Sequence, residues 1–366
     1  MNEELLYYLS FSHFLGIGPM RLKELINYFS DVKKAYQANG VEIKKVIGDK
    51  VGEKFIDFRR KFDPIKKLEE LKKKNITVLT QIDKKYPEPL KHLEDPPICL
   101  YIKGEIDRFD FHPSAGEIFF AIVGTRNPTP YGQQVTHMLA SELAKAGVVI
   151  VSGLAYGIDV IAHQSTLSAG GKTIAVLGCG VDIIYPAANA KVYQKIVEEG
   201  GWVISEFPPG HTVLKGLFIA RNRIISGLSS GVLVVEGSKD SGTLITVRHA
   251  AEQGKDVFAT PAPITSPMSE APNILLKQGA KLVTCVDDIF DELGVKIIPK
   301  EKKRIEEELN VEEKTVFLLL NKEARLPDDI SQITKKPIKE ILNIISMLEI
   351  KGAVEKNLQG KYQSRI

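Results

Sequence analysis

The sequence predicts an α/β fold, a doubly wound parallel sheet flanked by an N-terminal helical domain and a small C-terminal domain. Short apolar runs alternate with helical patterns between residues 118 and 294. Lysine-rich helical patterns fill residues 1–75, and a charged segment at 295–308 precedes a last stretch with helical periodicity. Continuous apolar runs are typical of strands buried on both faces of a parallel sheet, so we expect the central region to carry the sheet.

The composition predicts a cytoplasmic protein. The chain has 366 residues, enough for two or three domains, and a formal net charge of only +3. Glu3 and Glu4 stand where a secretory signal has basic residues, and no run of 18 apolar residues suggests a membrane span. Cys99, Cys179 and Cys285 fit neither a disulfide framework nor a CxxC metal site. We therefore expect a reduced protein with no bound metal and no membrane segment.

The N-terminal domain, residues 1–75, is expected to consist of short helices. The turn at residues 15–19 has two glycines between apolar helical stretches and allows two interpretations. It resembles the hairpin of helix-hairpin-helix modules, whose turn amides face a phosphate, and it equally fits a plain helix–helix turn. Lysine pairs on such helices are typical of a solvated face.

The central domain is expected to contain a Rossmann-like sheet. Prolines punctuate residues 76–117, which we predict to be a linker leading into the domain at 118–294. Seven strands are predicted there, at residues 118–123, 148–152, 173–178, 202–206, 231–236, 256–260 and 281–285. Because helical patterns separate them, they are expected to form βα units.

The C-terminal domain, residues 309–366, follows the charged linker at 295–308. Helices are expected at 311–321, 327–333 and 337–350, and then a hairpin around Gly352 and Gly360. Pro337 suits the first position of a helix. Three helices followed by a hairpin is the winged-helix arrangement.

The usual signatures of catalysis and of nucleotide cofactors are missing from the sequence. The nearest match to GxGxxG, beginning at Gly178, lacks the third glycine, and residues 171–173 resemble only the tail of a P-loop and lead into a strand. No GxSxG, HExxH or Cys/His cluster occurs. We therefore predict no catalytic residues and no cofactor.

Two loops at the carboxyl ends of strands are the first candidate binding residues, because open α/β sheets bind ligands there. In the first, residues 124–132, a glycine allows close backbone approach and the following helix is expected to point free N–H groups at an anion. Arg126 adds a planar donor fork suited to phosphate. The second, residues 152–159, has the same design. Asp159 is expected to cap a helix and brace this loop, with direct ligand contact as the alternative.

Two further segments complete the predicted crevice. Residues 215–223 open a helix and place three cations around Phe218, a combination that neutralises phosphates and stacks a base; a surface helix with Phe218 in the core is the alternative. Residues 238–246 surround Gly242 with hydroxyls and resemble either a phosphate-cradling turn or a capped helix start. The crevice is expected to contain one carboxylate and no histidine, so it has few groups that could act as a general acid, general base or nucleophile. His163 is expected to pack in the core.

At these loops the sequence resembles the DprA/Smf family of bacterial DNA-processing proteins. The resemblance covers roughly residues 84–293 in matching order. The matching segments are residues 86–90, 95–97, 100–104, 124–126, 129–132, 151–155, 157–159, 162–163, 171–178, 184–186, 205–210, 221–229, 241–246 and 279–283. The flanking domains agree with the family in layout only.

The resemblance implies a protein that binds and protects single-stranded DNA, helps to load the RecA recombinase during natural transformation, and forms a homodimer through its Rossmann domain. It implies no enzymatic activity. The DNA contacts carried over by motif are Gly124, Thr125, Arg126, Ser152, Gly153, Lys215, Phe218, Arg221, Asn222, Arg223, Gly242 and Thr243.

The sequence departs from the family pattern at three places. Tyr156 stands where relatives often have a basic residue before the Gly-Ile-Asp motif, and Ala187 replaces another residue that is often basic. Ala262 follows Thr260-Pro261, where a glycine is common. The first two changes remove positive charge from the crevice, so we expect weaker DNA binding than is usual in the family.

Two other functions compete with this prediction. A nucleotide-cleaving phosphoribohydrolase of the LOG type, from the same superfamily, needs a Pro-Gly-Gly-x-Gly-Thr-x-x-Glu loop, and residues 240–246 contain no glutamate. A duplex-DNA regulator would read bases through the third helix of the winged-helix domain. That helix, around residues 336–345, has few base-reading side chains and suggests an apolar interaction module.

Overall fold

The computed structural model describes residues 3–108, 117–295, 309–357 and 360–365. The chain divides into two compact units, Met1–Val295 and Lys296–Ile366. No helix among the described residues is long and apolar enough to span a membrane.

The first unit begins with six helices: α1 (Glu3–His13), α2 (Pro19–Phe29), α3 (Val32–Gln37), α4 (Gly40–Ile47), α5 (Asp49–Lys61) and α6 (Pro64–Lys73). Local sequence explains several of their starts. The side chains of Asp31, Asn39 and Asp63 accept hydrogen bonds from the first amides of α3, α4 and α6, and such caps satisfy amides that have no intrahelical partner. Pro19 and Pro64 occupy the first turns of α2 and α6, where a missing N–H costs nothing.

One sheet of nine strands forms the centre of this unit. The strands are β1 (Thr77–Thr80), β2 (Cys99–Lys103), β3 (Phe119–Val123), β4 (Val149–Ser152), β5 (Thr173–Val176), β6 (Trp202–Ser205), β7 (Gly231–Val234), β8 (Asp256–Ala259) and β9 (Lys281–Leu282). Their order across the sheet is β1-β2-β6-β5-β4-β3-β7-β8-β9. The strands from β3 onward pair in parallel. The α/β class and the seven predicted strands are confirmed.

The segment expected to be a linker, residues 76–117, contributes two strands to this sheet. β1 pairs with β2 antiparallel, and β2 pairs antiparallel with β6, for example Tyr101 opposite Ser205. The sheet is therefore mostly, not wholly, parallel.

Helices connect the strands. They are α7 (Glu88–Lys91), α8 (Pro130–Lys145), α9 (Ile158–Ser168), α10 (Ala190–Glu198), α11 (Lys215–Leu228), α12 (Thr243–Glu252), α13 (Glu270–Lys277) and α14 (Val286–Glu292). The connections reverse direction at β3, because β4, β5 and β6 follow on one side of it and β7, β8 and β9 on the other. In open α/β sheets a crevice forms at such a switch point, at the carboxyl ends of the strands.

The sheet separates two hydrophobic cores, because successive side chains of a strand point to opposite faces. Tyr101 of β2 lies in one core and its neighbour Ile102 in the other. The core around Tyr101 also contains Phe11 and Phe55 of the N-terminal helices, and the Ser12 and Tyr101 hydroxyls are 2.6 Å apart in a hydrogen bond. The N-terminal helices therefore share a core with the sheet.

The described part of the second unit, residues 309–357 and 360–365, contains three helices and a hairpin. They are α15 (Val311–Leu320), α16 (Pro327–Thr334), α17 (Ile338–Ile350) and the antiparallel pair β10 (Val354–Lys356) and β11 (Tyr362–Ser364). Phe317, Ile330 and Ile341 are buried in a core of its own. Pro337 precedes α17 as its N-cap, one position earlier than predicted. The predicted charged linker lies, apart from Val295, outside the described residues.

Candidate functional site

A cleft of about 380 Å³ lies at the carboxyl edge of the sheet, where the strand order reverses. Residues that follow β3, β4 and β7 line it together with one side of α11. The lining residues are Val123, Gly124, Thr125, Arg126, Ala155, Asp159, Phe218, Ile219, Arg221, Asn222, Ile225, Ser241, Gly242, Thr243, Ile245 and Thr246.

Eight of the twelve predicted contact residues line this cleft: Gly124, Thr125, Arg126, Phe218, Arg221, Asn222, Gly242 and Thr243. Ser152 and Gly153 are buried in the second loop, behind the lining. Lys215 begins α11, but its side chain lies outside the described atoms. Arg223 takes part in a different interaction, described below. The structure thus brings residues from all four predicted segments together.

Arg221 is a buried cation at the base of the cleft. Its guanidinium donates to the backbone oxygen of Gly153 at 2.7 Å and also to the backbone oxygen of Val176. Burial lowers the pKa of Arg221 to about 10, Asp159 opposes that shift, and the positive charge of Arg126 adds to it. The guanidinium has room because Gly153 has no side chain: a Cβ there would overlap the Arg221 nitrogens.

Asp159 braces the second loop, as expected, but it does not cap α9, because it is the second residue of that helix and Gly157 is the N-cap. Its Oδ2 accepts a hydrogen bond from the Gly153 amide at 3.1 Å. Burial raises the pKa of Asp159, while Arg221 and backbone amides of the loop lower it. The carboxylate is thus largely occupied by the loop that it holds in place, although it also borders the cleft.

One part of the first loop, the start of α8 at Thr129, departs from its predicted role as an anion site. The buried carboxylate of Glu236, just after β7, accepts hydrogen bonds from the Thr129 amide at 2.9 Å and from the Thr129 hydroxyl. Thr129 is the N-cap of α8, so a carboxylate of the chain itself already occupies this helix start. The prediction of free N–H groups aimed at an external anion was therefore wrong for α8. Sequence reasoning missed Glu236 because its partner is 107 residues away.

The first and second loops are locked against each other. The Ile158 amide donates to the Thr125 backbone oxygen at 3.1 Å. Gly157 has φ +77°, and a Cβ there would lie 2.7 Å from the Arg126 carbonyl carbon and overlap the Thr125 oxygen. Only glycine tolerates this combination of conformation and close approach. The lock fixes the backbone from which Arg126 projects.

Arg126 and Phe218 lie side by side at the mouth of the cleft. The Arg126 side chain is exposed, and its guanidinium carbon lies 5.9 Å from the centroid of the Phe218 ring. Phe218 is half-buried, and its ring centroid is 5.4 Å from that of Tyr185. Sequence reasoning identified Arg126 and Phe218 but did not predict that Tyr185 packs against the Phe218 ring.

The fourth segment forms the start of α12. Thr243 is the first residue of the helix, and Gly242 is its N-cap and makes no side-chain cap bond. The Ser241 hydroxyl accepts a hydrogen bond from the Thr243 amide at 3.2 Å and donates to the Thr243 hydroxyl at 2.9 Å. The Ser241 hydroxyl thus braces the helix start, which also borders the cleft; the phosphate-cradling turn stays a prediction.

Arg223 lies in a buried ion-pair cluster instead of on the cleft. It donates to Glu206 through two nitrogens, at 2.7 and 2.8 Å, and to the Asp95 carboxylate at 2.8 Å. Its side chain is only 6% exposed. Phosphate contact by Arg223 would require breaking this cluster, so we leave Arg223 out of the contact surface.

The described lining contains no histidine. His163 is fully buried as predicted, its Nδ1 lies 2.7 Å from the Thr173 hydroxyl, and burial lowers its pKa to about 3. The part of the chain that the structure describes holds no cluster of three or more His, Cys, Asp or Glu able to bind a metal. The cleft therefore has the chemistry of a cationic and aromatic binding surface.

The N-terminal turn at residues 15–19 packs against the sheet unit. Ile17 is buried, and the turn lines a small cleft with Glu206, Phe207 and Pro208. Arg21 donates to the Gly16 backbone oxygen at 2.6 Å. These contacts agree with the plain helix–helix turn, the second of the two interpretations.

Comparison with known proteins gives consistent matches. The family described as DNA recombination-mediator protein A matches residues 77–294. Protein Smf from Synechocystis is 35% identical over 403 residues, covering 100% of both chains. DNA processing protein DprA from Bacillus subtilis is 42% identical over 222 residues, which is 61% of this chain and 73% of that protein.

Two solved structures are similar as well. DNA processing protein A from Streptococcus pneumoniae has a TM-score of 0.67 at 34% identity, covering 80% of this chain and 98% of that one. DNA processing protein A from Helicobacter pylori, whose structure is described with its single-stranded DNA binding mode, has a TM-score of 0.52 at 36% identity. The match covers 60% of this chain and 95% of that one. With a family match over residues 77–294 and a relative aligned along its whole length, the chain belongs to the DNA recombination-mediator protein A family.

Proposed function

We propose that this protein binds single-stranded DNA in the cleft at the switch point of the sheet. The observation that carries the proposal is the exposed Arg126 beside the half-buried ring of Phe218 at the mouth of the cleft. A cation and a ring provide the two interactions that sequence-independent binding of single strands needs, phosphate neutralisation and base stacking. The H. pylori relative, described with a single-stranded DNA binding mode, supports the same ligand.

The DNA-binding site in this proposal consists of the predicted residues other than Arg223, some in contact with DNA and some supporting those contacts. Seven of these residues contact the DNA strand directly: Gly124, Thr125, Arg126, Phe218, Asn222, Gly242 and Thr243. Ser152, Gly153 and Arg221 lie beneath these contact residues and support them. Lys215 lies one turn before Phe218 on the same side of α11, since residues three apart share a helix face.

The protein acts in this proposal by binding and not by catalysis. Asp159 is the carboxylate on the described lining, and its loop amides already hold it. The segment after β7 also lacks the glutamate that a phosphoribohydrolase of the LOG type needs. A general acid or base requires a titratable group within reach of the substrate.

The proposed biological role follows from the family. The protein protects incoming single strands and helps to load RecA in natural transformation and recombination, in the cytoplasm. We also infer a homodimer through the sheet domain. The apolar side chains Ile264, Ile274 and Leu282 are 93%, 37% and 52% exposed, and Leu282 belongs to β9 at the edge of the sheet. Ile264 and Ile274 border one small cleft, and exposed apolar side chains of this kind are typical of protein interfaces.

We propose a winged-helix identity for the second unit, on the basis of its three helices and hairpin, with residues 295–308 as the linker. Of the first unit, residues 1–75 are the helical domain and 118–294 the Rossmann-like domain. The exposed face of α17 offers Leu342 and Met347 beside Lys339 and Asn343. This mixture suits a protein partner better than base readout in duplex DNA.

A gel-shift comparison tests the function directly. The full-length protein is titrated against an oligothymidine and against a duplex of the same length, and the same sample is assayed for nucleotide hydrolysis. We expect tight binding to the single strand, much weaker binding to the duplex, and no hydrolysis. Preference for the duplex would favour a regulator, and release of a base or phosphate from nucleotides would favour an enzyme.

A further inference from the structure

Tyr185 lies at the margin of the cleft and extends its aromatic surface. The side chain is 42% exposed, and its ring centroid is 5.4 Å from that of Phe218, with 36° between the ring planes. We propose that Tyr185 is a second base-stacking platform, so that consecutive bases of a single strand stack on Phe218 and then on Tyr185. This inference rests on the proposed function, because it concerns how the same cleft holds its strand.

The surroundings of Phe218 leave only part of its ring free to stack on a base. A Cβ at Gly178 would lie 3.0 Å from the Phe218 ring, so the ring packs closely against that backbone. The Arg126 guanidinium lies over the ring as well, at 5.9 Å. Phe218 therefore has limited free surface, and its half-buried state agrees with this.

No base fits between the two rings. Aromatic side chains in contact have centroids about 4.5–7 Å apart, and the observed 5.4 Å lies within that range. A base that reaches Tyr185 must therefore stack on the exposed side of its ring. Phe218 acts there as a positioning residue, because it supports Tyr185 from behind.

The segment that carries Tyr185 is fixed to the cleft. The buried Asn189 donates from Nδ2 to the backbone oxygens of Leu154 at 2.9 Å and of Ala155 at 3.3 Å. Ala155 lines the cleft, and Pro186, directly after Tyr185, is buried. The platform is thus held in place before DNA arrives, which reduces the entropy lost on binding.

The experiment compares Tyr185→Ala with Tyr185→Phe in the full-length protein, using an oligothymidine and an abasic oligonucleotide of equal length. Loss of one stacking contact is expected to weaken oligothymidine binding about 5- to 150-fold in Tyr185→Ala. Tyr185→Phe keeps the ring and should bind like the wild type. Affinity for the abasic strand should be the same in all three proteins, and the dependence on salt should not change.

Tyr28→Ala is the matched control, because Tyr28 is 57% exposed and packs against Phe29 at 4.8 Å in α2, away from the cleft. Its oligothymidine affinity should equal that of the wild type. Irradiation of the wild-type complex with 5-iodouracil in the strand should cross-link a base to the peptide that contains Tyr185, which tests the contact without any substitution.

The outcomes separate this inference from the proposed function. If Arg126→Ala loses affinity while Tyr185→Ala does not, and no cross-link forms at Tyr185, the inference is overturned and the binding cleft stands. An equal loss for oligothymidine and for the abasic strand would also overturn it. If the wild type fails to bind oligothymidine at all, the proposed function itself is wrong.

Discussion

Helix α11 places its two arginines on opposite sides, and this determines which of them borders the cleft. Residues three or four apart share a helix face, and Phe218, Arg221 and Ile225 accordingly all line the cleft. Arg223 follows Arg221 by two positions and lies on the other side. Helical spacing alone could have predicted this division. The partner of Arg223 could not be predicted, because Asp95 is 128 residues away in the sequence.

Arg126 and Arg223 should respond differently to the same substitution. Arg126→Ala removes a charge-assisted contact from an exposed side chain, so it should cost about 1.5–3 kcal/mol of single-stranded DNA affinity and leave thermal stability nearly unchanged. Arg223→Ala leaves Glu206 buried without its partner, and it should lower the free energy of unfolding by about 3–5 kcal/mol. Urea denaturation and fluorescence-anisotropy titration measure the two effects. Unchanged DNA binding in a folded Arg126→Ala protein would remove the first loop from the site.

Phe218 and Lys215 should differ in their salt dependence. Stacking is worth roughly 1–3 kcal/mol per base, so Phe218→Ala should weaken binding by about that amount and leave the salt slope alone. Lys215→Ala should weaken binding and flatten the slope by about 0.7, the value for one phosphate contact on a single strand. Titrations at several salt concentrations give both quantities. A large fall in melting temperature for Phe218→Ala, with little loss of affinity, would instead identify the ring as a core residue.

At the scale of elements, apolar periodicity predicted the seven parallel strands but missed β1 and β2. β1 lies at one edge of the sheet with β2 beside it, and the proline-rich segment 86–97 separates the two strands in the sequence. Prolines near a strand usually indicate an edge or a loop, which is why the region read as a linker. The pairing of β2 with β6 is a long-range contact that no local pattern encodes.

The junction between the first and second loops should be sensitive to a single methyl group. Gly157→Ala imposes an unfavourable φ and also places Cβ against the Thr125 and Arg126 backbone. Together these effects should cost about 2–4 kcal/mol of folding free energy and weaken DNA binding, because the loop carrying Arg126 must shift. Chemical denaturation and DNA titration provide the measurements.

Gly170→Ala is the control for that experiment. Gly170 also has a positive φ, +72°, but no atom lies within 4 Å of its added Cβ. Gly170→Ala should lower the folding free energy only by the cost of a positive φ at alanine, about 1–2 kcal/mol. DNA binding should be unchanged. If the two variants behave alike, contact between the loops contributes nothing to the site.

At the scale of the whole molecule, the predicted cleft residues all lie in the first unit, Met1–Val295. The second unit has its own core, which includes Val316, Phe317 and Leu348. A sequence can indicate such a division through a charged segment. It cannot tell that the N-terminal helices share a core with the sheet, because that depends on contacts such as Ser12 with Tyr101.

A chain that ends at Lys300 should therefore keep most of its single-stranded DNA affinity and remain dimeric. The cleft is built from β3, β4, β7 and α11, and the proposed dimer surface includes β9, so both belong to the part that is retained. Sedimentation velocity measures the assembly, and anisotropy measures the affinity. Leu282→Asp in the truncated chain should yield a monomer, because it places a charge on the exposed apolar edge.

The complementary fragment, residues 309–366, makes this test decisive. It has a hydrophobic core of its own, and domains of about 55–65 residues do fold alone, so its far-ultraviolet circular dichroism should show helix. The folded fragment should bind neither oligothymidine nor duplex. Were truncation to abolish binding while this fragment bound duplex DNA, the nucleic-acid site would lie in the second unit. The cleft in the first unit would then have to serve a different ligand.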